Sequence, residues 1–377
     1  MRFQVPTRIY FGSGMVNRAR EIVEENFKGA TLFLVTDRGI IDSGIAENVL
    51  SQFPGIQVFD EIEQNPKHNT VNKAGEIVRK LKPDVIIGLG GGSALDAAKS
   101  IALLATNTGA IEDFEGKGKY KTPPLPVIAV PTTCGTASEV TWVSVVTHTE
   151  RMFKMSIKGP AMFPAVALVD PDLLLTLPPP LIASTGMDAL THAIEAYTVK
   201  AATFLTDIFA RESLNLIFHS LERAYRNIKD DQEARIMIMK GSMIAGMAFG
   251  NSDVGGVHCI AEAVGSLYDT PHGVANSVFL PYVMEFNLPA VKGRYAEIAL
   301  LAGIEEKDEE TAAQKLIRLI KELARILNIP AFKDLGIEKA KFPEIAEKSF
   351  QNNSNFSNPR EAGVADYMSI LEKAYAE

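Results

Sequence analysis

Short apolar stretches alternate with longer amphipathic ones in the first half of the chain. The apolar stretches are typical of strands buried on both faces, as in a parallel sheet. They cover residues 31–36, 84–88, 126–130 and 166–169. Between them the spacing predicts helices over residues 43–53, 69–81 and 93–106. Strands that alternate with helices indicate parallel βαβ units, whose ligands bind at the carboxyl ends of the strands.

The second half of the chain has a different pattern. After the proline cluster at residues 178–180 the strand-like stretches nearly vanish, and proline is tolerated at a helix start but not inside a helix. Helices are predicted over residues 182–199, 206–225, 231–248 and 309–327. The sequence therefore predicts an α/β domain with a parallel sheet over residues 1–179 and an all-α domain over residues 180–377.

Composition narrows the function classes. The net charge of −8 argues against a nonspecific binder of nucleic-acid backbone. No apolar stretch approaches the roughly 18 residues that a membrane helix needs, and the first residues lack the apolar region of a signal peptide. Two cysteines in 377 residues fit a reducing compartment. We therefore expect a cytoplasmic protein.

A glycine-rich turn follows the second predicted strand, at residues 88–96. The dinucleotide pattern G-x-G-x-x-G fails because Ser93 occupies its last position, and the P-loop pattern fails because Lys99 does not follow a glycine. A tight strand-to-helix turn is the plain alternative. A strand, three consecutive glycines and a serine that can cap a helix favour pyrophosphate binding at the helix N-terminus.

Two further features lie at predicted strand ends. Asp37 directly follows the strand at residues 31–36, where a carboxylate can accept hydrogen bonds from a ribose diol and repel a 2′-phosphate. Its alternative role is that of a helix or turn cap. The polar turn at residues 131–139 offers hydroxyl and backbone N–H groups beside the glycine turn. Together they predict NAD(H) binding in preference to NADP(H).

A candidate metal site lies in the second half. Asp188 and His192 are four residues apart on a predicted helix, so both side chains lie on one face. Such a pair alone is more often an ordinary hydrogen bond. His258 and His272 strengthen the metal interpretation, because both lie in an apolar, glycine-rich stretch where an unsatisfied imidazole would be costly. One carboxylate and three imidazoles suit Fe(II) or Zn(II).

The other histidines, His68, His148 and His219, show no such partners in the sequence, and we expect them to be surface or core residues. A nucleotide beside an open metal site predicts a specific chemistry. The ion acts as a Lewis acid on a carbonyl or alkoxide oxygen, and the nicotinamide exchanges a hydride with the adjacent carbon.

The motifs at residues 90–96, 131–141 and 186–196, together with His258 and the segment 271–273, resemble those of the iron-containing (group III) alcohol dehydrogenases. The resemblance covers essentially the whole chain. It implies the dehydroquinate synthase-like architecture of that family, a homodimer and a small alcohol or aldehyde as substrate.

The resemblance also implies roles by position. The metal ligands would be Asp188, His192, His258 and His272. The cofactor would be bound by Asp37, Gly91, Gly92, Ser93, Asp96, Thr132, Thr133, Thr141, Val145, Lys154 and Leu181. The substrate pocket would include Trp142, Val143 and Phe249.

Glu262 departs from the family pattern, because many members carry a histidine there. One helical turn from His258, it is expected first to orient that imidazole as a hydrogen-bond acceptor. A catalytic role in proton relay ranks second, and an outward-facing helix glutamate is the plain alternative.

The predicted function is a metal-dependent, NAD(H)-linked alcohol dehydrogenase or aldehyde reductase for small primary alcohols or diols, with Fe(II) or alternatively Zn(II). A zinc polyol dehydrogenase of the glycerol type is the nearest alternative. A lyase resembling dehydroquinate synthase is disfavoured, because residues 181–198 and 250–277 contain no Lys or Arg to bind an anionic substrate. A metal hydrolase conflicts with the glycine turn.

Overall fold

The computed structural model describes residues 3–377 and divides them into two units. One unit comprises Gln4–Leu177, and the other comprises Phe3 together with residues 178–377. The division falls two residues before the boundary that the sequence predicts. The predicted fold class is confirmed, since the first unit contains a parallel sheet with helices and every regular element of residues 178–377 is a helix.

The main sheet of the α/β unit has six strands in the order β1-β9-β6-β4-β2-β3, and all of its pairs are parallel. The strands are β1 (Arg8–Phe11), β2 (Leu32–Val35), β3 (Gln57–Phe59), β4 (Val85–Gly90), β6 (Val127–Pro131) and β9 (Val166–Val169). Alternate β2 residues enter two separate apolar clusters, Phe33 and Val35 on one face and Leu34 on the other. Burial on both faces explains why these strands read as continuous apolar stretches.

A second, three-stranded sheet was not predicted. It consists of β5 (Gly116–Lys117), β7 (Val143–His148) and β8 (Phe153–Lys158), in the order β5-β8-β7. β7 and β8 form an antiparallel hairpin. Buried and partly exposed residues mix along these strands, so they lack the uniform apolar character that identified the main sheet.

The helices of the α/β unit are α1 (Ala19–Asn26), α2 (Arg38–Asp42), α3 (Glu47–Leu50), α4 (His68–Leu81) and α5 (Gly92–Thr106). The prediction of one helix over residues 43–53 is wrong, because α2 ends at Asp42 and only the short α3 lies within this region. Asp37 caps α2 with a side-chain hydrogen bond. Gly44 then adopts a φ of 79°, a left-handed conformation that ends a right-handed helix.

The helical unit contains α6 (Pro179–Thr198), α7 (Phe204–Asn227), α8 (Gln232–Phe249), α9 (Gly256–Tyr268), α10 (His272–Leu301), α11 (Glu309–Ile326), α12 (Phe342–Gln351) and α13 (Val364–Ala376). Pro179 and Pro180 lie in the first turn of α6, where their missing N–H groups cost nothing. α10 breaks at Val291, two residues after Pro289. Across residues 3–377, no helix combines the length and the apolar character that a bilayer crossing requires. Cys134 and Cys259 are both buried, and neither forms a disulfide bond.

Candidate metal centre and nucleotide-binding loops

Four candidate metal ligands converge in the helical unit. Asp188 and His192 lie one turn apart on α6, His258 lies in the first turn of α9, and His272 is the first residue of α10. Each offers one ligand atom, and these atoms lie within 4.8 Å of one another. Three of the four side chains are buried, while that of His272 is 26% exposed. Three helices thus present a compact, mostly buried donor set.

Glu195 orients one of these ligands, and sequence reasoning missed it. Its Oε2 lies 2.5 Å from Nδ1 of His258, and its Oε1 accepts a hydrogen bond of 2.8 Å from the backbone N–H of Val257. One carboxylate thereby caps α9 and turns Nε2 of His258 toward Asp188. A signal was present, because Asp188, His192 and Glu195 follow an i, i+4, i+7 spacing that places all three on one helix face.

The Glu195 carboxylate also sets the electrostatics of His258. Burial lowers the pKa of this imidazole, but the negative charges of Glu195 and Asp188 raise it by more, so the net direction is upward. A carboxylate on Nδ1 increases the basicity of a ligating histidine and fixes its tautomer. The buried pair therefore has the arrangement of a candidate metal ligand with its supporting acceptor.

Close helix packing positions His272. A Cβ at Gly273 would lie 2.4 Å from the carbonyl oxygen of Ser184, so only glycine permits α10 to approach α6 this closely. Phe249 stacks on the His192 ring, with centroids 4.1 Å apart and an interplanar angle of 14°. Phe249, predicted as a wall of the substrate pocket, therefore lies directly beside a candidate ligand.

The donor atoms fit a divalent ion. Nδ2 of Asn276 donates to Oδ1 of Asp188 at 2.6 Å, and it lies 3.2 Å from Nε2 of His258 and 3.1 Å from Nε2 of His272. Three atoms that could ligate a metal thus converge on one amide group. The amide carries only two hydrogens, so it cannot donate a hydrogen bond to all three. A carboxylate with three imidazoles, and no thiolate, is the donor chemistry of a catalytic Fe(II) or Zn(II) site.

The prediction that Glu262 orients His258 is wrong. Nδ1 of that imidazole is already paired with Glu195, and the Glu262 carboxylate accepts a hydrogen bond of 2.6 Å from Nδ2 of Asn352. Glu262 lies one turn after His258 on α9, but Glu195 on α6 already pairs with the ring nitrogen that Glu262 would have to contact.

In the α/β unit, the two predicted nucleotide loops lie side by side. Gly90 at the end of β4 pairs with Pro131 at the end of β6, so the glycine turn and the polar turn leave neighbouring strands. A Cβ at Gly91 would lie 3.1 Å from Thr133, and one at Gly92 only 2.5 Å from Thr136. These glycines keep the start of α5 open to close approach, as a pyrophosphate at a helix N-terminus requires.

Asp96 and Lys99 fasten the polar turn to α5. Asp96 accepts hydrogen bonds from the Ser138 hydroxyl at 2.5 Å and the Val145 N–H at 2.9 Å. Lys99 is fully buried, and its ammonium group donates to the carbonyls of Ser138 and Val143. Burial lowers the pKa of Lys99, while Asp96 opposes that shift. Asp96 thus holds the polar turn and the start of β7 against α5 through hydrogen bonds to its side chain.

Asp37 fills the capping role that the sequence left open beside cofactor binding. Its Oδ1 accepts a hydrogen bond of 3.0 Å from the Ile40 N–H and caps α2, while Oδ2 lies 3.2 Å from the position that a Cβ of Gly90 would occupy. Burial raises the pKa of this carboxyl, and backbone N–H groups partly offset the shift. One carboxylate oxygen therefore faces the glycine turn.

The other predicted cofactor residues occupy several places. Ser93 accepts a hydrogen bond from the Asn65 N–H, and the buried Lys154 on β8 donates to Oδ1 of Asn65 at 2.8 Å. Lys154 is therefore not a solvated surface lysine. Buried or partly buried positions beside the polar turn and along β7 hold Thr132, Thr133, Thr141 and Val145.

The last three predicted residues divide between the two units. Trp142 directly precedes β7 of the α/β unit and Val143 begins it. Nζ of Lys117 lies 5.0 Å from the centroid of the Trp142 ring. Leu181 lies in the first turn of α6 in the helical unit and is 45% exposed.

The expectation that His68 and His148 lack partners is wrong. Their rings stack with centroids 4.4 Å apart, and the Glu150 carboxylate contacts both. Residues distant in sequence form this cluster, so no local spacing along the sequence predicts it.

Comparison with known proteins gives matches over both units. The sequence model described as iron-containing alcohol dehydrogenase matches residues 6–171, and that of the C-terminal part of the Fe-containing alcohol dehydrogenase family matches residues 182–375. Alcohol dehydrogenase 4 of Saccharomyces cerevisiae is 37% identical over 99% of this chain and 98% of its own length. The 1,3-propanediol dehydrogenase of Citrobacter freundii is 38% identical, with the same coverage. A crystal structure of a 1,3-propanediol oxidoreductase superposes with a TM-score of 0.94 at 37% identity, covering 99% of each chain.

Proposed function

The chain belongs to the iron-containing alcohol dehydrogenase family, and from this membership we propose that it interconverts small primary alcohols or diols with their aldehydes, using Fe(II) and NAD(H). It is a metal-dependent alcohol dehydrogenase, an oxidoreductase acting on CH–OH groups. The observation that carries the assignment is the set of four donor atoms within 4.8 Å, one of them oriented by Glu195.

We propose that Asp188, His192, His258 and His272 hold the metal. When bound, a divalent ion supplies Lewis-acid polarisation of the alcohol or aldehyde oxygen, and the nicotinamide carries the hydride. Glu195 keeps a lone pair of His258 directed into the site. The Phe249 ring fixes the plane of His192 and gives the substrate an apolar surface, which favours short alkyl chains.

The start of α5 is the proposed pyrophosphate site. Gly91 and Gly92 leave room for close backbone contact, and the helix N-terminus favours negative charge. Asp37 supports a preference for NAD(H), because its second carboxylate oxygen faces the glycine turn and would repel a 2′-phosphate.

The choice of iron rests on membership of the iron-containing family, because the donor set of one carboxylate and three imidazoles suits both Fe(II) and Zn(II). Two buried cysteines without a disulfide bond fit a reducing compartment, and we propose a cytoplasmic homodimer as the working form.

An anaerobic reconstitution tests the proposal. Metal-stripped protein is reloaded with Fe(II) or Zn(II), and NADH loss is followed with lactaldehyde and butanal. We expect turnover that depends on added metal and is faster with Fe(II) and with NADH than with NADPH. Turnover without metal, or failure to bind NADH, would contradict the proposal. Faster turnover with Zn(II) would overturn the iron assignment alone.

A further inference from the structure

A second cluster of ligand-type side chains lies in the α/β unit, and the proposed dehydrogenase chemistry does not use it. It consists of His68, His148 and Glu150, here called the hairpin histidine site. Each residue offers one ligand atom, and these atoms lie within 4.8 Å of one another. His68 begins α4, His148 ends β7, and Glu150 lies in the β7–β8 turn.

The spacing of the donor atoms matches a metal site. Oε2 of Glu150 lies 3.1 Å from Nε2 of His68 and 3.0 Å from Nδ1 of His148. With ligand bonds of about 2.0 Å, neighbouring donors of a tetrahedral zinc site are separated by about 3.3 Å. The three side chains therefore need only small adjustments to share one ion.

The surroundings favour a cation at this place. Arg151, the nearest basic residue of the turn, is paired with Glu115 at 2.6 Å, which neutralises its charge. Glu112, whose Oε2 accepts a hydrogen bond of 2.9 Å from Nδ2 of Asn72, supplies a further carboxylate near the two histidines.

The residues of the hairpin histidine site differ in their exposure to solvent. His68 is 4% exposed and fixed in the interior, its ring stacked on that of His148. The Glu150 side chain is 65% exposed, so an ion bound here can enter from solvent and keep water in its remaining positions. This arrangement of two histidines, one carboxylate and open positions is typical of exchangeable transition-metal sites.

We propose that His68, His148 and Glu150 bind a second divalent transition-metal ion of the zinc type. The ion joins the start of α4 to the β7–β8 hairpin. These segments are also connected by hydrogen bonds from the Thr147 N–H to the Pro66 carbonyl and from the Thr149 N–H to Nδ1 of His68. The joined segments also carry Asn65, the partner of Ser93 and Lys154. Occupancy therefore stabilises the α/β unit around candidate nucleotide-binding residues.

Zinc counting tests the proposal without any measurement of turnover. The full-length protein is dialysed to equilibrium against low micromolar Zn2+, and bound zinc per chain is measured by mass spectrometry. We expect two zinc ions in the wild type, one in His148→Ala, one in His272→Ala and none in the double variant. His219→Ala, which removes an exposed histidine outside both clusters, should keep two.

Thermal unfolding provides a second readout. Zinc binding at the hairpin histidine site should raise the Tm of the wild type at the second equivalent of Zn2+ and that of His272→Ala at the first. The Tm of His148→Ala should not rise beyond its first equivalent. Glu150→Gln should weaken binding at the hairpin histidine site at least tenfold, and it replaces His148→Ala if that variant does not fold. One zinc in the wild type, or two in both His148→Ala and Glu150→Gln, would overturn the proposal. These counts stay informative if the proposed dehydrogenase activity fails.

Discussion

In the helical unit the four candidate metal ligands are side chains presented by three helices, whereas in the α/β unit the glycine turn offers backbone N–H groups. At the metal centre, Asp188 and His258 are buried and held by further side chains, Asn276 and Glu195. At the turn, Gly91 and Gly92 matter through the side chains that they lack. The metal centre therefore depends on the side chains that are present, whereas the glycine turn depends on the space that missing side chains leave free.

The difference indicates how each site should respond to substitution. Removal of a side chain should damage the metal centre and leave nucleotide binding intact. Addition of a methyl group should damage the glycine turn and leave the metal count intact. Variants that change both properties together would break this comparison.

The largest effect is expected for His272→Ala. Loss of one of four ligands should abolish tight metal binding, and kcat should fall by at least about 10³-fold, or roughly 4 kcal/mol. Metal content, steady-state turnover and NADH binding by fluorescence are the measurements, with His219→Ala as the control. NADH affinity should stay within about twofold of the wild type. Full activity in metal-free protein would refute the role of the centre.

Glu195→Gln should have the next largest effect. The amide preserves shape but removes the charge that supports His258, so metal affinity should fall by about 10- to 100-fold. A competition assay with a chelator of known affinity measures the loss. Glu262→Gln is the matched control and should change the affinity less than about twofold, because Glu262 pairs with Asn352. Equal losses in both variants would contradict the assignment of the orienting role to Glu195.

Gly92→Ala addresses the other side of the comparison. The new Cβ would lie 2.5 Å from Cγ2 of Thr136, so the start of α5 must shift. The dissociation constant for NADH should rise about tenfold, or roughly 1.4 kcal/mol, with metal content unchanged. Adding Thr136→Ala to the same chain removes the clash and should restore most of the affinity. Unchanged affinity in the single variant would show that the turn does not approach the cofactor closely.

The smallest effect is expected at Asp37. Asn can still cap α2 but carries no charge, so Asp37→Asn should narrow the preference for NADH over NADPH by roughly fivefold without a loss of stability. Asp37→Gly should narrow it similarly and also lower the Tm, because the cap is lost. The ratio of kcat/KM for the two cofactors is the readout. An unchanged ratio in both variants would remove Asp37 from cofactor selection.

The features that could be predicted from the sequence are those with a regular local spacing. Buried parallel strands read as apolar stretches, and the four-residue interval between Asp188 and His192 placed both on one face of α6. Glu195, three residues after His192, lies on the same face, but its partner His258 is 63 residues away, so only the fold shows the contact. The hairpin histidine site escaped detection for the same reason, since His68 and His148 are 80 residues apart. The prediction of a helix over residues 43–53 was wrong because it gave the pattern of apolar residues more weight than Gly44, which ends a helix.

The burial of both cysteines has a practical consequence for surface chemistry. Cys134 and Cys259 are each 0% exposed, and burial raises the pKa of the Cys259 thiol well above its usual range. Maleimide reagents at neutral pH should therefore leave the native protein unmodified, because they react with accessible thiolates. A cysteine introduced at Phe356, which is 83% exposed, would serve as the reactive handle for attachment to an electrode or a solid support in a defined orientation.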